Sequence, residues 1–447
     1  MGVGRLTGSH YFFKEYPMQI FLATAIALFL GLAMTRVFKY LHLRLPDVTA
    51  FLIAGIIAGP YLLGALNVPG LGFGSMEEIG RVSFLSNAAL GFIAFDIGNE
   101  FRLAQLKKTG KTATIIGIIQ AVTATVLVDA ALIGLHFILG GDVLPLPAAI
   151  TLGAIASATA PAATMMVVRQ YKAKGPLTDL LLPIVALDDA VGLVVFAVSF
   201  GIAQAMNGGA LSVVSVVVNP LLEIIFSLIL GAIMGAVLTF LEKLFFSNTN
   251  RLSLAISAVL ITIALSSLEF EIGEVRIGFS SLLVCMMLGT VFCNMSEFSP
   301  DIMERSGRWT APLYTVFFVI SGAQLELNVF RDPTVILIGV VYIIVRCLGK
   351  YLGAHYSSKA MKCPPQVNKY LGVTLFPQAG VALGMVVSSQ ALGNEMGSLI
   401  RNIILFSVMV YELVGPLMTK LSLEKAGEIT PASPDKKSRD RFARKAK

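Results

Sequence analysis

The sequence predicts an all-α polytopic membrane protein of about thirteen transmembrane helices, arranged as two inverted repeats of five helices with two broken, crossing helices. Three observations predict it. Of the 447 residues, 56% are hydrophobic and only 14% charged, and the mean hydropathy is +0.80, far more apolar than a soluble globular chain. Apolar stretches of roughly 20 residues recur from end to end, each long enough to cross a hydrocarbon layer about 30 Å thick as a helix. Proline and glycine interrupt two of these stretches at matched positions. A closed β-barrel would need alternating apolar and polar residues over short segments, and that alternation is absent.

The first span, 18–38, follows a polar stretch carrying Arg5 and Lys14. It is longer than a signal-peptide core and lacks a convincing cleavage site, so it reads as a retained helix behind an extracytoplasmic segment, 1–17. Met1-Gly2 is no myristoylation signal, because Leu6 stands where Ser or Thr is needed. Spans 47–65, 83–101 and 112–138 follow. The fifth, 145–168, contains the interrupted run Gly153-Ala-Ile-Ala-Ser-Ala-Thr-Ala-Pro161. The sixth, 179–205, carries the adjacent acids Asp188 and Asp189. Spans 213–243, 252–268, 278–296 and 310–327 come next. The eleventh, 334–355, holds Arg346 and Lys350 four residues apart, on one helical face. The twelfth, 370–392, is interrupted at Pro377-Gln-Ala-Gly380, and 399–421 precedes a basic tail, 422–447.

An odd number of spans puts the two termini on opposite faces, so the basic residues of alternate loops test the count. With the tail inside, 26 of the 34 Lys and Arg fall on inner segments and six on outer ones. The two left over are Arg346 and Lys350, within a span. The bias places the N-terminus outside and the C-terminus in the cytoplasm, as expected for a multi-pass protein of the cell's inner (plasma) membrane. It also accounts for the net charge of +7 without nucleic acid, the tail being a solvated segment able to meet anionic lipid. Cys285, Cys293, Cys347 and Cys363 have no metal-ligand spacing with the four histidines and read as apolar packing. No glycine-rich nucleotide fingerprint occurs, and no resident cofactor or enzymatic activity is expected.

The two breaks lie seven spans apart. Units displaced by an odd number of spans sit upside down relative to each other, which makes Pro161 on one side and Pro377 with Gly380 on the other the marks of inverted repeats, as in secondary transporters. Charged residues deep in lipid are costly and are functional candidates. Adjacent residues on a helix point about 100° apart, so Asp188 and Asp189 cannot share one face. One can face a water-filled cavity while the other pairs with Lys350, or with Arg346 unless that residue only ties helix ends. A carboxylate balanced between desolvation and an ammonium partner can hold either a proton or a small cation. Thr159, Ser157 and carbonyls freed at the breaks would complete an oxygen shell for sodium or lithium. Asp129 and Glu412 lie in spans expected to line the same core, as secondary candidates, and Asp96 and Glu100 approach the inner face as packing or gating partners.

At these residues the chain resembles a bacterial sodium/proton antiporter of the NhaA/NapA type, within the monovalent cation/proton antiporter superfamily. The resemblance runs through Leu45-Pro46, Gly55, Gly59-Pro60 and Gly64, then Phe95-Asp-Ile-Gly-Asn-Glu100-Phe and Thr159-Ala-Pro161. It continues through Leu187-Asp188-Asp189-Ala-Val-Gly192, Phe317-Phe-Val-Ile-Ser-Gly322, Leu348-Gly-Lys350-Tyr-Leu-Gly and Pro377-Gln-Ala-Gly-Val-Ala-Leu-Gly384. It implies a homodimer with dimerisation helices 18–101 and 252–327, a linker helix 213–243, and a mobile core of 112–205 and 334–421 moving as an elevator. It implies that Asp189 binds the ion, that Asp188 pairs with Lys350, and that two protons exchange electrogenically for one sodium. Many relatives carry an acid before the proline of the fifth span, where this chain has Ala160. A carboxylate that would offset the positive ends of the half-helices is therefore missing.

The expected activity is sodium (or lithium)/proton antiport by alternating access, with potassium/proton exchange on the same scaffold as the alternative. An intramembrane aspartyl protease would also need two acids in the membrane, but its Gly-x-Gly-Asp motif is absent. A passive channel would leave the matched breaks without a purpose.

Overall fold

A computed structural model describes residues 9–41, 45–98, 101–207, 218–268, 270–272, 275–325 and 327–429. The start of the N-terminal segment, Glu100, residues 213–217 of the seventh predicted span and most of the basic tail lie outside the described residues. The chain folds into α1 (Ser9–Tyr40), α2 (Asp47–Ala58), α3 (Met76–Gly98), α4 (Leu103–Leu139), α5 (Leu146–Ile155), α6 (Pro161–Tyr171), α7 (Pro176–Met206) and α8 (Asn219–Leu241). These are followed by α9 (Asn248–Ser266), α10 (Ser281–Met295), α11 (Ser299–Ala323), α12 (Pro333–Ala360), α13 (Pro365–Thr374), α14 (Gly380–Ser389) and α15 (Asn394–Lys425). Among the described residues, seven helices are individually long and apolar enough to cross a membrane, and several shorter apolar helices accompany them.

Several boundaries differ from the sequence reading, each for a local reason. The second span stops at Ala58 because Pro60 has no amide proton and holds Gly59 extended, at φ −74° and ψ 177°. The tenth begins at Ser299, with Pro300 in the first turn. There the i,i+4 pairs Asp301–Arg305 (2.9 Å) and Glu304–Arg308 (2.7 Å) carry the helix through a charged stretch read as loop. The all-α expectation also misses one small element. Between α9 and α10, β1 (Phe270–Ile272) and β2 (Val275–Ile277) form an antiparallel hairpin in the register Phe270↔Ile277, Glu271↔Arg276, Ile272↔Val275. Its alternating Phe-Glu-Ile and Val-Arg-Ile triplets favour extended backbone.

The helices pack in two groups. In one, α1 and α11 flank α2, while α3 lies on α10 and α11, with α9 alongside. Glycines bring these backbones together: a Cβ on Gly55 of α2 would fall 2.1 Å from the Val319 carbonyl oxygen of α11, and one on Gly289 of α10 would fall 2.2 Å from that of Phe95. In the other group α4 packs along α12, α5 and α7, with α13 and α15 against α12. Helix α8 rests mainly on α10 and links the two groups in sequence. The breaks predicted from proline and glycine separate α5 from α6 and α13 from α14, all within the second group.

Candidate functional site

The site grows from the two interrupted helices. Helix α5 ends at Ile155, and Pro161 occupies the first turn of α6, where its missing amide proton leaves no bond unmade. Helix α13 ends at Thr374, Pro377 lies in the following irregular stretch, and Gly380 begins α14. The two stretches touch where the Ala160 amide donates to the Pro377 carbonyl at 2.9 Å. Each break frees carbonyls that a continuous helix would have satisfied, and side chains from neighbouring helices take them up.

Arg346 of α12, fully buried, does most of this. Its Nε donates to the Ala156 carbonyl (3.0 Å), one terminal nitrogen to Ala158 (2.5 Å) and the other to Phe376 (2.8 Å). A guanidinium thus spans the C-terminal, electronegative ends of α5 and α13, with its carbon 4.6 Å from the Tyr411 ring centroid. These three hydrogen bonds of Arg346 go to carbonyls at the broken helix ends, while its charge also lies near Asp188. Gln378, in the second break, donates to the Ile155 carbonyl at 2.8 Å and accepts from the Tyr342 hydroxyl at 3.2 Å.

One helical turn along α12, Lys350 points its ammonium into the same crossing. Nζ donates to the Ser157 carbonyl (2.5 Å), the Thr159 hydroxyl (2.9 Å) and Asp188 Oδ2 (3.2 Å), and neither side chain of the Lys350–Asp188 pair meets solvent. Gln120 of α4 donates from Nε2 to the other Asp188 oxygen, Oδ1. The second acid stands apart. Asp189 is 1% exposed, yet neither of its carboxylate oxygens has a hydrogen-bond partner among the described residues. It lies in the wall of a cavity of about 780 Å³ that opens between the two helix groups. Ser83 near the start of α3, Gln204 near the end of α7, Asn219 at the start of α8 and Gln324 just past α11 place its mouth at one end of the bundle.

The remaining candidates fall at different distances from this centre. Glu412 of α15 lines the same cavity as Asp189. Ser157 turns its hydroxyl to the Ala154 carbonyl at 2.7 Å, and a Cβ on Gly192 would sit 3.4 Å from that hydroxyl, so α7 passes close to the break. Asp129 lies just before the break: its carboxylate abuts the last turn of α5, where a Cβ on Gly153 would come 1.8 Å from Oδ1. Ala160, at the N-cap of α6, supplies no side-chain cap. Asp96 forms a separate ion pair, with Arg169 of α6 at 2.8 Å, and accepts from Thr310 of α11 at 2.9 Å. Gln120, Gln378 and Tyr342 were missed by sequence reasoning. Gln378 had a signal, its place directly after the proline of a break, whereas Gln120 is one polar residue in an apolar span, 68 positions from its partner.

A model of the transmembrane sodium/hydrogen exchanger family matches residues 24–425. Among curated proteins, the chain is 22% identical over 373 residues to the K(+)/H(+) antiporter subunit KhtU of Bacillus subtilis, covering 83% of this chain and 86% of that protein. It is 23% identical over 390 residues to the high-affinity Na(+)/H(+) antiporter NhaS3 of Synechocystis, covering 79% and 80%. Among solved structures, the sodium proton antiporter MjNhaP1 of Methanocaldococcus jannaschii superposes with a TM-score of 0.71 at 17% identity, over 91% of this chain and 98% of that one. At that identity the likeness is one of fold.

Proposed function

The chain belongs to the sodium/hydrogen exchanger family, and from that premise we propose that it exchanges sodium or lithium for protons, with Asp189 as the group that holds either ion in turn. One observation carries the reading: Asp189 is a buried carboxylate with both oxygens unpartnered among the described residues, at the wall of a cavity and beside a crossing of broken helices. A carboxylate in that position binds whichever of proton or hard cation reaches it. The Ser157 and Thr159 hydroxyls and the nearby carbonyls supply further oxygens for the cation as it passes.

Alternating access follows if the group of α4–α7 and α12–α15 moves as a body against the group of α1–α3 and α9–α11, in the manner of an elevator. The fifteen described helices make thirteen passes if α5 with α6, and α13 with α14, each count as one interrupted span. Under that count the basic-residue bias supports a cavity mouth on the outer face, an outside N-terminus and a cytoplasmic C-terminus. The remaining parts of the proposal are a homodimer in the plasma membrane, two protons per cation, and no resident cofactor. Potassium is the alternative cargo, favoured by the likeness to a K(+)/H(+) antiporter subunit.

Proteoliposomes loaded with a pH dye test the reading. Addition of sodium or lithium to wild-type vesicles is expected to move protons, and Asp189→Asn is expected to fall to the signal of empty vesicles. A wild-type protein that responds to none of sodium, lithium or potassium overturns the proposal. A response to potassium alone selects the alternative, and full activity in Asp189→Asn removes the residue from its role.

A further inference from the structure

We propose that Gln120 is a positioning residue for the exchange: it holds Asp188 in its ionised, acceptor-only form and so confines cargo binding to Asp189. The inference rests on the antiport reading above. Gln120 is fully buried on α4, in a stretch of that helix packed closely on α12; a Cβ on Gly353 would fall 2.6 Å from the Gln120 Cα. From Nε2 it donates to the Gly117 carbonyl at 2.8 Å and to Asp188 Oδ1. Both neighbours are acceptors, so turning the amide over would set its oxygen against two other oxygens. Gln120 Oε1, meanwhile, has no partner among the described residues, so the amide is oriented by its two donor bonds alone.

The consequence for Asp188 follows from counting donors. Oδ1 receives Gln120, Oδ2 receives the Lys350 ammonium at 3.2 Å, and the Thr159 hydroxyl also bonds the carboxylate. A proton on Oδ1 would face an N–H that is held in place by its second bond, to Gly117. Donors that fit only the charged form of a carboxyl favour that form. The charged and titratable groups around Asp188 are Lys350 and Arg346 of α12 and Asp189 of its own helix. Helix α4 presents the Gln120 amide, and the stretch 156–160 presents carbonyls and hydroxyls. Gln120 is therefore a neutral partner, beside the Thr159 hydroxyl, that Asp188 has and Asp189 lacks, leaving Asp188 fixed against Lys350 and Asp189 open to exchange.

Gln120→Met, which keeps length and bulk but removes both donors, tests this in proteoliposomes. Without the amide, Asp188 keeps its proton to higher pH and Lys350 loses its ionised partner. The pH of half-maximal exchange is expected to move about one unit to the alkaline side, a tenfold change in proton affinity. On the alkaline plateau the apparent KM for sodium is expected to stay within about twofold of wild type. Gln120→Glu, of nearly the same shape but with an acid facing Asp188, is expected to shift the profile further in the same direction, and it carries the test if the Met variant does not fold. A role in packing alone lowers the melting temperature and leaves the profile in place. A folded, active variant with a wild-type pH profile overturns the proposal, whereas loss of exchange in the wild-type protein strikes the antiport reading instead.

Discussion

Asp188 and Asp189 are the same residue type on consecutive positions of one helix, and their surroundings make them different. Asp188 lies between an amide and an ammonium, and Asp189 has neither. The sequence allowed the division but not its direction, because a 100° turn separates the two acids without saying which neighbour each meets. Lys350→Gln removes the charged partner of Asp188 and is expected to leave exchange measurable while changing its pH dependence and its response to an imposed membrane potential. A wild-type voltage response in vesicles counts against the pairing. Arg346 is a different kind of buried cation, since its described hydrogen bonds go to backbone carbonyls at the broken ends. Arg346→Met strands those carbonyls in an apolar interior and is expected to lower stability by about 3 kcal/mol or more, read as thermal unfolding in detergent. Arg346→Lys is expected to rescue little, because one ammonium cannot reproduce the planar fork that spans two helix ends.

The helices themselves follow from short-range chemistry, and the breaks were legible because proline and glycine act locally. Pro161 starts a helix, and Pro60 ends one through its effect on Gly59. The reading failed where local composition argues against a structure that the wider chain supports. The charged stretch from Ser299 was read as loop because its polar residues interrupt the hydropathy, yet i,i+4 ion pairs keep it helical. The α2–α11 contact offers a sharp test at this scale. Gly55→Val would push a side chain into the α11 backbone, whereas Gly134→Ala on α4 has nothing within 4 Å of its new Cβ. The first is expected to destabilise the protein by several kcal/mol, roughly 3 or more, and the second to leave its melting temperature unchanged or slightly raised. Equal melting curves for the two variants would contradict the close approach.

At the scale of the whole molecule, polar contacts among the described residues join the two groups of helices away from the cavity, the Leu103 amide of α4 donating to Asn294 of α10 at 2.8 Å being one. Arg169 of α6 reaches Asp96 of α3 at 2.8 Å, and Gln170 accepts from the Asp47 amide of α2 at 3.0 Å. Any sliding of α6 past α3 must break the first of these bonds. Asp96 is almost completely buried whereas Arg169 is a third exposed, so a lost partner leaves Arg169 with access to water. Asp96→Asn is accordingly expected to cost about 1–3 kcal/mol, below the range for a fully buried pair, and thermal unfolding checks it. What the sequence alone determined is whatever depends on neighbours along the chain: the membrane class from hydropathy, the broken helices from proline and glycine, and the candidate acids and cations from their cost in lipid. Which carboxylate has hydrogen-bond partners and which has none among the described residues, which cation meets the carbonyls of the crossing, and the Gln120–Asp188 bond were decided by tertiary structure. Those facts depend on α4, α7, α12 and the two breaks meeting at one point, and no local pattern records a contact between residues 68 or 190 positions apart.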